Sequence, residues 1–213
     1  MKMVIVANGT LSKTDRLLSL IQQADMIIAA DGGAVHLHHM GIAPQIIIGD
    51  LDSIPQEILS CFKEKQIKIF KHPVRKDQTD MQLCMDYAID HGCTNLVIMG
   101  ATSTRLDHTL ANIFLVRTLA DQGIPTMILD ACNDIHIVVS RLTLSGRPGD
   151  LISVIPISDR VTGLTLKGLE YPLLDQSLCM GATIGISNVF QQNNAEISLK
   201  SGAVLVIKPK EEN

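Results

Sequence analysis

The sequence predicts an α/β fold: an N-terminal doubly wound, mostly parallel sheet over residues 1–131, followed by a C-terminal all-β sandwich over residues 132–213. Three observations carry this. Up to residue 130, apolar runs of four to six residues alternate with segments of helical spacing, the pattern of a parallel sheet covered on both faces. After residue 131 the helical period stops. Short runs rich in Val, Ile and Thr then alternate with Gly, Pro, Ser and Asp, as in SGRPGD and PISD. Finally, the polar loops that follow the first five apolar runs fall on one sheet edge, where such sheets bind ligands.

Taken in order, residues 3–7 form the first strand; the run is too short for a signal peptide or a membrane span. Residues 14–23 place Leu17, Leu18 and Ile21 at helical spacing. Residues 26–30 are a second strand, followed by Gly32-Gly33 and a helix over 34–40. Residues 45–48 are a third strand. Residues 55–65 read as a helix with Pro55 at its first position and Ser53 as its cap. A fourth strand at 67–70 precedes a helix at 79–91, with Gly92 as its C-cap. A fifth strand at 95–100, a helix at 106–122 closed by Gly123, and a sixth strand at 125–129 complete the alternation. In the β domain, strands are expected at 135–139, 151–155, 161–166, 196–199 and 203–207.

Composition narrows the function. Aromatics are 3% with no Trp, so the cores are aliphatic. A formal charge of −4 argues against a nucleic-acid partner, which needs basic surface. No apolar run reaches the roughly 18 residues of a membrane helix. The five Cys include no CxxC pair and fit no zinc framework, as expected of reduced thiols in a cytoplasmic protein.

The chemistry concentrates on the shared edge. In GDLDS at 49–53, Asp50 and Asp52 lie two apart after an apolar run, so in extended backbone both carboxylates face one side. That arrangement suits Mg²⁺, which takes one or two carboxylates plus phosphate oxygens; a solvated strand-end turn reads the same in isolation. In KDQTD at 76–80, Thr79 can cap the next helix with Asp80 in its first turn. The helix start beside Arg75 and Lys76 would then attract an anion, and Asp77 or Asp80 would complete the metal shell. Together the two loops suggest a magnesium site for a nucleotide polyphosphate. In TRLDH at 104–108, Arg105 would clamp phosphate, and Asp107 and His108 would orient a base or another nucleotide group; Asn112 shares a helix face with His108. Asp31, Gly32 and Gly33 follow the second strand, the glycines allowing close approach and Asp31 reaching metal or ribose. His36, His38 and His39 lack the four-residue spacing of a zinc helix and read as a solvated or half-buried helix.

These motifs resemble thiamine pyrophosphokinases: ADGGA at 30–34, GDLDS at 49–53, KDQTD at 76–80 and RLDH with its trailing Ala111-Asn112. GLEYPL at 168–173, GISN at 185–188 and GAVLVI at 202–207 extend the resemblance to nearly the whole chain. The resemblance implies a homodimer with thiamine bound between subunits, ATP as co-substrate, and transfer of the β,γ-diphosphate of ATP to the thiamine hydroxyl with release of AMP. It implies Mg²⁺ on Asp50, Asp52 and Asp77 or Asp80, with Asp31 nearby; a nucleotide site that includes Lys76, Gln78 and Thr79; and thiamine contacts from Ser187 and Asn188. Two departures stand out. The family's glycine pair before the Arg is Ser103-Thr104 here, and a stacking Trp is absent, leaving Tyr171 as the apolar wall. The alternatives are a pyrophosphokinase for another alcohol, such as a hydroxymethylpterin, and a non-catalytic nucleotide or thiamine sensor.

Overall fold

The computed structural model describes residues 1–73 and 77–210. The chain divides into two compact units, Met1–Ala131 and Cys132–Asn213.

In the first unit, six strands alternate with five helices: β1 (Lys2–Val6), α1 (Asp15–Gln22), β2 (Met26–Ala30), α2 (Gly33–His39), β3 (Ile46–Gly49), α3 (Gln56–Glu64), β4 (Lys68–Lys71), α4 (Asp80–Asp90), β5 (Asn95–Met99), α5 (Leu106–Asp121) and β6 (Thr126–Leu129). The strands pair in parallel in the order β6-β5-β1-β2-β3-β4. The chain first builds outward from β1 to β4, then returns to β5 on the other side of β1. The strand order therefore reverses between β1 and β5, the place where open α/β sheets hold ligands.

Both faces of β1, β2, β3 and β5 are covered, which is why these strands read as continuous apolar runs, whereas the edge strand β4 (KIFK) is mostly exposed. Val4, Val6, Ala29 and Ile47 face α1, α2 and α3 through Leu17, Ile21, Leu37, Leu59 and Phe62. The alternate residues Met3, Ile5, Ile28, Ile46 and Ile48 are also buried, and α4 packs on β1, β2 and β3. Local chemistry sets the helix ends. Thr14 accepts a hydrogen bond from Leu17 N, and Thr79 accepts one from Gln82 N. One expectation fails here: Ser53 does not cap α3. Pro55 occupies the cap position, and Ser53, two residues too early, donates to Asp52 Oδ1 at 3.0 Å.

The second unit holds eight strands: β7 (Asn133–Val138), β8 (Arg141–Ser145), β9 (Leu151–Pro156), β10 (Arg160–Lys167), β11 (Leu173–Cys179), β12 (Asn188–Val189), β13 (Asn194–Ser198) and β14 (Val204–Pro209). They form antiparallel layers β12-β9-β14-β7 and β11-β10-β13-β8 around an aliphatic core. Strands β8, β11 and β12 go beyond the sequence reading. β8 and β11 are mostly exposed or half-buried and carry no apolar run, and β12 has two residues. Phe190 sits in this core, almost fully buried. Lys208 Nζ lies 5.2 Å from its ring centroid and 2.8 Å from Asp150 Oδ2. We expect Phe190→Ala to destabilise the protein by about 3–5 kcal/mol, measured by urea denaturation.

Candidate active site

Two left-handed turns bring three carboxylates together. Asp31, at the end of β2, has φ 45° and is 8% exposed. Its N–H donates to Ile48 O at 2.9 Å, extending the β2–β3 ladder by one residue. Leu51, after β3, has φ 70°, and its N–H donates to Asp31 Oδ1 at 3.1 Å. Asp52 N in turn donates to Asp50 Oδ1 at 3.1 Å. One carboxylate oxygen from each of Asp31, Asp50 and Asp52 then lies within 4.8 Å of the other two. Gly49 makes this possible: a Cβ there would fall 2.8 Å from Asp31 Cβ.

Like charges this close repel; at an effective dielectric of about 20, a pair 4 Å apart costs about 4 kcal/mol before screening. The donors are all hard oxygens, so the cluster suits a divalent cation such as Mg²⁺.

The trio opens into a cleft of about 710 Å³ at the carboxyl ends of the strands. Asp80, Gln78 and Thr79 line it from the start of α4; Arg105, Asp107, His108 and Asn112 line it from the start of α5. The structure thus brings most of the predicted residues into one cavity. Asp77 is exposed and does not line it. Arg75 and Lys76 lie outside the described residues.

Several of these side chains are already committed to the chain itself. Thr79 caps α4, Gln78 Nε2 donates to Asp86 Oδ2 at 2.8 Å, and Asn112 Nδ2 donates to Ala101 O at 2.8 Å. Arg105 grips Asp107 bidentately, at 3.2 Å from Nε and 2.6 Å from the terminal nitrogen. That guanidinium holds the Asp107 carboxyl down at about 2, and Asp107 raises Arg105.

The glycines do a different job from the one expected. A Cβ on Gly33 would run into Val6 O, and one on Gly32 would run into the Asn8 carboxamide. Their close approach is to the chain's own backbone and side chains. Asn8 and Gly9, in the first of the polar loops at this sheet edge, also line the cleft.

In the second unit, Ser187 has φ 53° and its N–H donates to Ser153 Oγ at 3.1 Å. Asn188 is 1% exposed. Its Oδ1 accepts from Tyr171 N at 3.0 Å and its Nδ2 donates to Tyr171 O at 2.8 Å. The Asn188 amide therefore fixes the loop that carries the exposed Tyr171.

Residues 17–128 match the family model described as "Thiamin pyrophosphokinase, catalytic domain", and residues 136–204 match "Thiamin pyrophosphokinase, vitamin B1 binding domain". The chain belongs to the thiamine pyrophosphokinase family. A thiamine pyrophosphokinase of Bacillus subtilis is 29% identical over 96% of both chains, and one of Caenorhabditis elegans is 26% identical over 80% of this chain and 71% of the relative. The Bacillus subtilis crystal structure superposes with a TM-score of 0.90 at 28% identity, over all of both chains. Yeast thiamin pyrophosphokinase, at 16% identity, shares the fold with a TM-score of 0.82 over 98% of this chain and 86% of that one.

The Arg105–Asp107 geometry has a measurable signature. The Asp107 carboxyl should titrate near about 2 by NMR. In Arg105→Ala it should return toward about 3.9. Because the folded value is depressed, the ion pair is intact above the ordinary carboxylate range and is lost as pH falls through about 2.

Proposed function

We propose that this chain is a thiamine diphosphokinase, moving the β,γ-diphosphate of ATP to the thiamine hydroxyl to give thiamine diphosphate and AMP. One observation carries the reading: the Asp31, Asp50 and Asp52 trio faces a cleft at the strand-order reversal, in a chain of the thiamine pyrophosphokinase family.

The donor set supports Mg²⁺ held by Asp50 and Asp52, with Asp31 as third carboxylate. When bound, the ion supplies charge neutralisation for the polyphosphate. The protein's own residues do the positioning. The start of α4, capped by Thr79, presents backbone N–H groups to phosphate, and Gln78 lines the cleft beside it. Arg105 takes up phosphate charge from the start of α5, exchanging one carboxylate partner for the more highly charged polyphosphate. Asp80 accepts the hydroxyl proton as the oxygen attacks the β-phosphorus in line. Asp107, His108 and Asn112 shape the nucleotide end of the cleft. In the second unit, Ser187 and the Tyr171 loop held by Asn188 receive thiamine, with Tyr171 as the apolar wall.

A homodimer is part of this reading. Leu174, Met180, Ile184 and Ile186 of the second unit are large, apolar and exposed, which supports a subunit surface there. No helix among the described residues is long and apolar enough to cross a membrane. None of the five cysteines is in a disulfide.

The direct test is incubation with ATP, Mg²⁺ and thiamine, followed by product analysis. AMP and thiamine diphosphate are expected; ADP would indicate γ-phosphoryl transfer and overturn the reading. Hydroxymethylpterin in place of thiamine should give no product. Asp50→Ala and Asp52→Ala should each abolish AMP formation. Without metal both variants should melt no lower than the parent, because each relieves carboxylate repulsion. Full activity in either one rules out this site.

A further inference from the structure

We propose that Asn8 is a substrate-contacting residue whose carboxamide donates a hydrogen bond to the polyphosphate of the bound nucleotide. This rests on the ATP-dependent reading above and adds a residue to it.

The backbone around Asn8 is clamped. Ala7 N donates to Met99 O at 2.8 Å, Gly9 N to Gly100 O at 2.7 Å and Thr10 N to Thr102 O at 2.8 Å. The loop after β1 thus stays zipped to the loop after β5, at the place where the strand order reverses. On its other side, His36 Nε2 lies 2.9 Å from Gly9 O, so that nitrogen carries the proton. Asn8 is therefore presented on rigid backbone at the floor of the cleft.

Its side chain is also seated. A Cβ on Gly32 would collide with Cγ, Oδ1 and Nδ2 of Asn8 at nearly the same distance from each. The carboxamide therefore lies flat over the bare Cα of Gly32, one residue from Asp31. Either end of the amide can face the cleft from this seat.

What sets Asn8 apart is its unused hydrogen-bonding capacity. Three carboxamides line the cleft: Asn8, Gln78 and Asn112. Gln78 is engaged by Asp86 and Asn112 by Ala101 O. The Asn8 carboxamide has no hydrogen-bond partner among the described residues, although it is exposed to the cleft. Beside it stand acceptor-only carboxylates, which repel polyphosphate. A neutral amide has two N–H donors for phosphoryl oxygens and, unlike a lysine there, forms no ion pair with those carboxylates.

The experiment is steady-state kinetics and ATP-binding calorimetry on Asn8→Ala, Asn8→Asp, Gly32→Ala and the Asn8→Ala/Gly32→Ala double variant. Asn8→Ala should lower kcat/KM for ATP roughly 10–100-fold, with KM for thiamine within about 2-fold of the parent. Asn8→Asp, close in size but unable to donate when ionised, should lose more. Gly32→Ala should mimic Asn8→Ala by displacing the amide, and adding it to Asn8→Ala should cost little more. Melting temperatures of both Asn8 variants should match the parent, because the side chain is exposed. Wild-type kcat/KM for ATP in Asn8→Ala would overturn the proposal, and fully additive losses in the double variant would overturn the seating on Gly32. If the parent makes no AMP from ATP and thiamine, the proposed activity falls. A 10–100-fold weaker ATP affinity in Asn8→Ala would still support the Asn8 contact in that event, and unchanged affinity would remove it.

Discussion

The organising constraint of the first unit is the convergence of Asp31, Asp50 and Asp52. Folding must hold three carboxylate oxygens within 4.8 Å of one another, one of them on a buried side chain. Nothing in the cluster favours that except the backbone around it. Parallel pairing of β2 with β3 fixes the strand ends, Asp31 N extends that ladder to Ile48 O, and Leu51 N ties the next turn back to Asp31 Oδ1. The aliphatic layers on both sheet faces are what stabilise this arrangement against its own repulsion. A site of this kind is a strained, charged edge carried by an uncharged core.

The glycines around the cleft follow from the same constraint. Gly49 leaves room for Asp31, Gly33 lets α2 start against Val6 O, and Gly32 accommodates the Asn8 carboxamide. In each case the missing Cβ admits another part of the same chain. Close packing at the strand ends sets the positions of the carboxylates.

Much of this was legible in the sequence, for identifiable reasons. β1, β2, β3 and β5 stand out because both faces of these strands are buried, which leaves their central positions apolar without alternation. Asp50 and Asp52 were legible because their loop shares a sheet edge with KDQTD and Arg105; alone the pair reads equally as a solvated turn, and they converge through the left-handed Leu51 (φ 70°), not through the extended backbone expected. Asp31 as the third member was only adjacent in the reading, because its approach depends on two positive φ values that no local pattern announces. Strands β8 and β11 were hidden because they are largely exposed or half-buried, and their pairing partners β13 and β10 are what make them strands. The role of the Asn188 amide was hidden for a related reason. Only the fold brings residue 188 to residue 171, where both ends of its amide are used on backbone. Asn8 belongs to the first polar loop at the sheet edge, and nothing local singles it out, since its seat on Gly32 is a long-range contact.

The charge arrangement also explains what the cleft withholds. Arg105 lines the same cavity as the acidic trio, yet it pairs with Asp107, two residues away on its own helix start. Both partners are about two-thirds exposed, at 66% and 64%, so the pair contributes little to stability. Its effect is on distribution of charge: the guanidinium is kept from the trio. Among the described residues, none of Asp31, Asp50 and Asp52 forms an ion pair with a cation of the chain. Had Arg105 collapsed onto them, the trio would be a neutralised structural cluster with no call on a metal. Held by Asp107, Arg105 remains available to a ligand carrying more negative charge than one carboxylate. The trio, left without an internal counter-ion, is a donor set that suits a divalent cation. A single local ion pair thus engages the Arg105 guanidinium at its own helix start, while the three carboxylates face the same cleft without an ion pair to a cation among the described residues.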